Sequence, residues 1–64
     1  MQETKKIGII GYGNMGSAIA ERLQDTHSII VFDKDESKTS GASGIKVAAN
    51  IAALIKESEI VILA

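Results

Sequence analysis

The sequence KIGIIGYGNMG, residues 6–16, joins a short apolar run to three spaced glycines. The run from Lys6 to Ile10 is rich in isoleucine and lacks polar alternation, which is typical of a strand buried on both faces in a parallel sheet. It stops at Gly11, a residue type that permits a sharp turn. We therefore predict a first strand over residues 6–10, followed by a glycine-rich turn.

The residues after this turn are expected to form a helix. Apolar side chains recur at helical spacing on one predicted face, and polar side chains occupy the other. The apolar positions are Met15, Ala18, Ile19 and Leu23, and the polar positions are Glu21, Arg22, Gln24 and Asp25. The pattern predicts an amphipathic helix of about three turns that starts near Asn14.

The next part of the chain repeats the alternation of strand and helix. A second apolar run, Ser28–Phe32, predicts a second strand, and residues 35–44 predict a loop or at most one helical turn. Residues 45–48 are expected to form a short third strand. Asn50 is expected to cap a second helix, whose apolar face holds Ile51, Leu54 and Ile55.

The last apolar run, residues 59–64, predicts a fourth strand. Repeating strand-helix-strand units build a parallel sheet, and right-handed crossovers place the fourth strand beside the first. The expected fold is α/β, a Rossmann-type doubly wound parallel sheet with strand order 3-2-1-4. Because the chain stops on an uncovered apolar strand, we expect it to be truncated from a longer protein and to self-associate through that strand.

Composition excludes several kinds of protein. The chain has 64 residues, 45% of them hydrophobic, and a formal net charge of -1, so no nucleic acid or membrane partner is expected. There are no cysteines and one histidine, His27, so we expect no disulfide, cysteine nucleophile or metal site. The residues after Lys6 lack the unbroken apolar run of a secretory signal, and a cytoplasmic location is expected.

The three glycines have the spacing G-x-G-x-x-G, and their context gives this motif its weight. It follows a predicted buried strand, opens a predicted helix and precedes an acidic residue, Asp33, at the end of the next strand. In such a loop Gly11 permits the tight turn, Gly13 lets a pyrophosphate approach the backbone, and Gly16 allows close helix packing. The helix directs its free amides at the phosphates. We therefore predict a nicotinamide cofactor, NAD(P)H, at this site.

Asp33 bears on which form of the cofactor is bound. Its carboxylate can accept hydrogen bonds from the adenosine ribose hydroxyls, and it repels a 2′-phosphate. Lys34 could offset part of that repulsion. The residues favour NADH, while the choice between NADH and NADPH stays open.

Other polar residues have structural interpretations beside functional ones. Asn14 is expected to cap the first helix as well as to face the cofactor. Tyr12 either contacts the cofactor or lies in an exposed turn. His27 is expected to be a solvated turn residue, and Glu57 and Glu59 a solvated helix end rather than a catalytic carboxylate pair.

The segment Gly11–Ala20, preceded by Lys6–Ile10, closely resembles the amino-terminal motif of pyrroline-5-carboxylate reductases. Asn14-Met15-Gly16 is the most telling part of it. The closing residues 57–64 are similar to the fourth strand of that family. The resemblance spans nearly the whole chain, which corresponds to the amino-terminal part of an NAD(P)-binding domain, without the substrate and dimerisation domain.

The resemblance implies an enzyme of proline biosynthesis. Such a reductase passes hydride from NADPH or NADH to the imine carbon of 1-pyrroline-5-carboxylate, and its helical carboxyl-terminal domain contacts the substrate and forms a homo-oligomer. By position, the resemblance implies a cofactor site made of the phosphate loop and the ends of the second and fourth strands. These residues are Gly11, Tyr12, Gly13, Asn14, Met15, Gly16, Asp33, Lys34, Leu63 and Ala64.

Two departures from the family and two alternatives stay open. Asn50 lies one position earlier than the family's cofactor-binding asparagine, and Asp33 differs from the small polar or basic residue of many NADPH-preferring members. The alternatives are a dehydrogenase of the hydroxyisobutyrate or 6-phosphogluconate type and a non-catalytic nucleotide-sensing domain. No residue is identified as catalytic, so we expect the 64-residue chain alone to be inactive.

Overall fold

The apolar runs form the strands of one parallel sheet. The computed structural model describes residues 4–42 and 44–64. In chain order, the elements are β1 Lys6–Ile10, α1 Asn14–Leu23, β2 Ser28–Phe32, α2 Glu36–Thr39, β3 Lys46–Val47, α3 Ile51–Glu57 and β4 Ile60–Leu63. The strands are parallel and lie in the order β3-β2-β1-β4. The predicted α/β, Rossmann-type sheet with strand order 3-2-1-4 is confirmed.

Helices cover both faces of the sheet, which is why β1 and β2 are continuous apolar runs. On the face covered by α1, the side chains of Ile9 and Val31 are fully buried, in one cluster with Ile7, Ala20 and Ile29. On the face covered by α3, Ile30 packs with Ala48 and Leu54. Alternate residues of β1 and β2 thus contribute side chains to two separate core layers.

Gly8, at the centre of β1, permits the close approach of α3. A Cβ at this position would lie 2.5 Å from Cδ2 of the fully buried Leu54, and it would also meet the hydroxyl of Ser58. A side chain at Gly8 would therefore push α3 away from the sheet. The sequence analysis assigned no packing role to this glycine.

The predicted apolar faces of both longer helices were partly wrong. In α1, Met15 is 68% exposed and Ala18 is also exposed, while the buried residues are Gly16 and Ala20. Small residues let α1 lie close to the sheet, so they occupy the positions where contact is tightest. In α3 only Leu54 is buried, and Ile51 and Ile55 are 43% and 53% exposed.

The shorter elements differ from the predictions mainly at their ends. The segment after β2 contains the single helical turn α2, as expected. β3 is limited to residues 46–47, although the Ala48 N–H also donates to the Val31 carbonyl, at 2.8 Å. β4 forms an edge of the sheet, and three of its apolar side chains are exposed, Ile60, Val61 and Leu63.

His27 lies at the amino end of the sheet, just before β2. It is half-buried, and its Nδ1 accepts a hydrogen bond from the backbone N–H of Lys5 at 3.0 Å. The expectation of a solvated turn residue was therefore wrong in part, since the imidazole joins the segment before β1 to the turn before β2. Because the glycine-rich turn is at the opposite, carboxyl end of β1, this contact assigns His27 a structural role.

Asn50 caps α3, as predicted. Its side-chain oxygen accepts a hydrogen bond from the backbone N–H of Ala53 at 2.8 Å. We expect Asn50→Ala to lower the free energy of unfolding by about 1 kcal/mol, because one amide of the first helical turn loses its acceptor. Denaturant titration measures this, with Asn50→Asp as the control that keeps an acceptor. Equal stability of the alanine variant and the original chain would contradict the capping role.

Candidate functional site

The carboxyl ends of β1, β2 and β4 enclose a cleft of about 250 Å³. It brings together the ends of three strands that are distant in the sequence, as parallel sheets do at their carboxyl edge, and the first residue of α3. Five of the predicted site residues line this cleft: Gly11, Asp33, Lys34, Leu63 and Ala64. Ile10, Phe32 and Ile51 complete its wall.

Gly11 makes the turn out of β1. Its φ is +102°, a conformation that side chains disfavour, and a Cβ there would lie 2.7 Å from the backbone oxygen of Ala64. Backbone hydrogen bonds join this end of β1 to the ends of β2 and β4 on its two sides. The Gly11 N–H donates to the Phe32 carbonyl at 2.7 Å, and the Ala64 N–H donates to the Ile10 carbonyl at 3.0 Å.

Gly16 lies where α1 passes over this turn. A Cβ at Gly16 would overlap the carbonyl oxygen of Gly11 and lie 2.9 Å from its carbonyl carbon. Both atoms belong to the backbone, so neither can move aside as a side chain could. The close packing predicted for Gly16 is thus present between the helix and the turn.

Gly13 differs from these two glycines, because the protein itself does not require a glycine there. Its φ of -82° and ψ of -153° are extended, and other residue types adopt such angles. A Cβ at Gly13 would have no atom within 4 Å. The space beside Gly13 is therefore open, and a side chain would be tolerated by the fold itself.

The amino end of α1 has no side-chain cap. Gly13 is the N-cap residue, and its carbonyl accepts from the Ser17 N–H at 2.9 Å. Asn14 is already the first residue of the helix, so the prediction that it caps α1 was wrong. A glycine cap has no side-chain oxygen that could accept from the first-turn amides. The helix end is thus suited to bind an anion through those amides.

Asp33 contacts the backbone of the glycine-rich turn, a role that the sequence analysis missed. Its Oδ2 accepts from the Tyr12 N–H at 2.8 Å, and its Oδ1 accepts from the Asp35 N–H at 2.9 Å. These two hydrogen bonds, the Tyr12 bond first, lower the pKa of Asp33 below the ordinary value of 3.8. Asp33 is therefore ionised at neutral pH.

Tyr12 does not lie in an exposed turn, and its contact with the cofactor stays a prediction. Its side chain is half-buried and packs against the core layer under α1. Its backbone N–H is bound by Asp33. The next predicted residues of the loop, Asn14 and Met15, are exposed at the start of α1.

A second cleft, of about 370 Å³, lies on the other side of Asp33, between β2, α2 and the end of β3. Two acidic residues line it, Asp33 and Glu36, together with Thr39 and Ser40. The remaining wall consists of Phe32, Val47, Ala48 and Ala49. Glu36 was not predicted as a site residue, because the sequence indicated only that it lies in the polar segment after β2.

Residues 4–42 and 44–64 contain neither a candidate metal site nor a candidate membrane-spanning helix. No group of three or more histidine, cysteine, aspartate or glutamate side chains in these ranges could hold a metal ion. Among the same residues, no helix combines the length and apolar character needed to cross a bilayer.

Comparison with known proteins adds the family and one structural relative. The family described as NADP oxidoreductase, coenzyme F420-dependent, matches residues 6–64. A solved oxidoreductase from Ralstonia solanacearum, described as a D-3-phosphoglycerate dehydrogenase, is similar with 26% sequence identity and a TM-score of 0.82. The match covers 97% of this chain and 19% of that structure's chain. No curated protein matches the sequence.

Proposed function

We propose that this chain, which belongs to the family of NADP oxidoreductases described as coenzyme F420-dependent, is the NAD(P)H-binding part of a pyrroline-5-carboxylate reductase. The observation that carries a dinucleotide at this site is the uncapped amino end of α1, with open space beside its N-cap residue Gly13. Neither a positive φ nor the packing requires a glycine at this position, and the approach of a pyrophosphate to the helix amides would account for it. The Asn14-Met15-Gly16 sequence supports the reductase among the oxidoreductases.

The residues at the carboxyl edge of the sheet fit a dinucleotide. The uncapped end of α1 and the backbone at Gly13 would hold the pyrophosphate, and the cleft lined by Asp33 and Lys34 would hold the adenosine end. When bound, the nicotinamide supplies hydride chemistry. The chain itself contributes binding and orientation.

We propose that this site favours NADH. Asp33 lines both clefts, and Glu36 adds a second carboxylate to the larger one. A 2′-phosphate near these groups would meet two negative charges at neutral pH. Lys34 lines the smaller cleft and opposes this effect, but an exposed ion pair contributes only about 0 to 1 kcal/mol.

A dehydrogenase of the hydroxyisobutyrate or 6-phosphogluconate type is the second candidate. It is favoured by the structural relative, whose description is that of a dehydrogenase and whose fold overlaps this chain with a TM-score of 0.82. Both candidates need the same cofactor site and differ in the substrate domain. The chain spans 19% of that relative, and the Asn14-Met15-Gly16 sequence favours the reductase, so turnover of the substrate is the deciding measurement.

An activity assay of the intact protein tests the proposal. We expect NADH oxidation that depends on added 1-pyrroline-5-carboxylate and yields proline, with NADPH used less efficiently. The matched assay offers NAD⁺ with 3-hydroxyisobutyrate or 6-phosphogluconate. Turnover of either hydroxy acid, with none of the imine, would replace the reductase by the dehydrogenase. Binding of neither NADH nor NADPH would refute the cofactor site itself.

A further inference from the structure

The first two residues of the phosphate loop, Gly11–Ser17, are tied to the end of β2 by consecutive amides. The Gly11 N–H donates to the Phe32 carbonyl at 2.7 Å, and the Tyr12 N–H donates to Asp33 Oδ2 at 2.8 Å. The first of these bonds continues the sheet and is available to any residue at position 32. The second needs an acceptor on the side chain of residue 33.

We propose that Asp33 is a positioning residue, whose carboxylate holds the phosphate loop in its dinucleotide-binding shape through the amide of Tyr12. The inference rests on the proposed cofactor site and adds a role that is separate from any contact with the ribose. Without this acceptor, the Tyr12 N–H, which is partly buried, would lose its partner. The chain between Gly11 and the start of α1 would then lose one of its two bonds to β2.

The carboxylate is itself oriented from the other side. Asp33 Oδ1 accepts from the Asp35 N–H at 2.9 Å, so each oxygen has one backbone donor. A carboxylate oxygen can accept two hydrogen bonds, which leaves each of them one further position for a ribose hydroxyl. Holding the loop and binding the ribose are therefore compatible, and replacing Asp33 disturbs both.

The charged groups around Asp33 favour its ionised form on balance. Lys34 and Lys38 lower the pKa of Asp33 and add to the effect of the two backbone bonds. Asp35 lies next to it with its own carboxylate bound to Ser37, and Glu36 lines the same cleft. Because the folded pKa lies below 3.8, the loop contact is complete above that pH and weakens as the pH falls through the folded value.

The test compares Asp33→Ala, Asp33→Asn and, as the matched control, Asp25→Ala in the intact protein. Asp25 is an exposed acidic residue in the turn after α1 that lines neither cleft, so its replacement keeps the Tyr12 contact. Two measurements are made, the affinities for NADH and NADPH by titration, and the hydrogen exchange of the Tyr12 amide by NMR without ligand. In the original protein, the Tyr12 amide shift should also titrate at a pH below 3.8.

Asp33→Ala and Asp33→Asn both remove the negative charge, but in Asp33→Asn the amide oxygen can still accept from the Tyr12 N–H. We therefore expect Asp33→Ala to bind NADH and NADPH at least about tenfold more weakly than Asp33→Asn does, and to lose the exchange protection of Tyr12 that Asp33→Asn keeps. Asp25→Ala should leave the affinities and the protection unchanged. A thermal melt of each variant separates these effects from unfolding.

A role at the ribose alone predicts a different result, in which Asp33→Ala and Asp33→Asn bind NADPH equally well. That result overturns the proposal, whether or not Tyr12 loses protection, and so does full protection of Tyr12 in Asp33→Ala. If the original protein binds neither dinucleotide, the proposed function fails. The hydrogen exchange of the Tyr12 amide and the acid titration of its NMR shift then still show whether Asp33 holds the loop.

Discussion

Replacing Gly13 by alanine is expected to weaken dinucleotide binding by about 100-fold while leaving the stability of the fold nearly unchanged. A Cβ at Gly13 has no protein atom within 4 Å, and the backbone angles suit alanine. The methyl group would project into the open space proposed for the pyrophosphate. Loss of two charged hydrogen bonds, each worth about 1.5 to 3 kcal/mol, corresponds to at least that change in affinity.

Titration with NADH and denaturant unfolding of the same variant measure the two effects. The free energy of unfolding should stay equal or rise by about 0.4 to 1 kcal/mol, since alanine restricts the unfolded chain more than glycine does. Gly41→Ala is the matched control. A Cβ at Gly41 also has no atom within 4 Å, and Gly41 follows α2 instead of opening α1. Unaltered NADH affinity in Gly13→Ala would contradict the proposed pyrophosphate site beside Gly13.

Gly16→Ala, unlike Gly13→Ala, is expected to destabilise the fold, with a loss of about 3 kcal/mol in the free energy of unfolding. The added methyl would overlap the backbone carbonyl of Gly11, and α1 would have to move away from the turn. Alanine has a better helix propensity than glycine by about 1 kcal/mol, so the clash must exceed this gain. At roughly 0.05 to 0.15 kcal/mol per residue, a domain of this size would lose a large part of its stability.

Ser17→Ala is the control for the Gly16 variant. Ser17 is the next residue of α1, and its side chain makes one exposed hydrogen bond, to the Asn14 carbonyl at 3.2 Å. Its replacement should change the free energy of unfolding by less than about 0.5 kcal/mol. Should Gly16→Ala prove as stable as Ser17→Ala, the close contact between α1 and the turn would not exist in solution.

Local patterns in the sequence determined the elements and their topology. Lys6–Ile10 and Ser28–Phe32 were predicted with the bounds that the structure has, because strands buried on both faces need apolar side chains at every position. Strand order followed from the handedness of crossovers, which is nearly invariant. The Asn50 cap was predictable because its bond reaches only three residues along the chain.

The tertiary structure alone decided which residues touch across the sheet. Met15 and Ile55 have the helical spacing of core residues, yet both are exposed, since only the distance between helix and sheet determines which side chains fit. That distance depends on Gly8, Gly16 and Ala20. The glycine motif predicted the contact at Gly16, but a pattern of hydrophobicity does not identify Gly8 or Ala20 as contact points. The bond from Tyr12 to Asp33 joins residues 21 positions apart, and it exists because two parallel strands end side by side. No local pattern encodes such a contact.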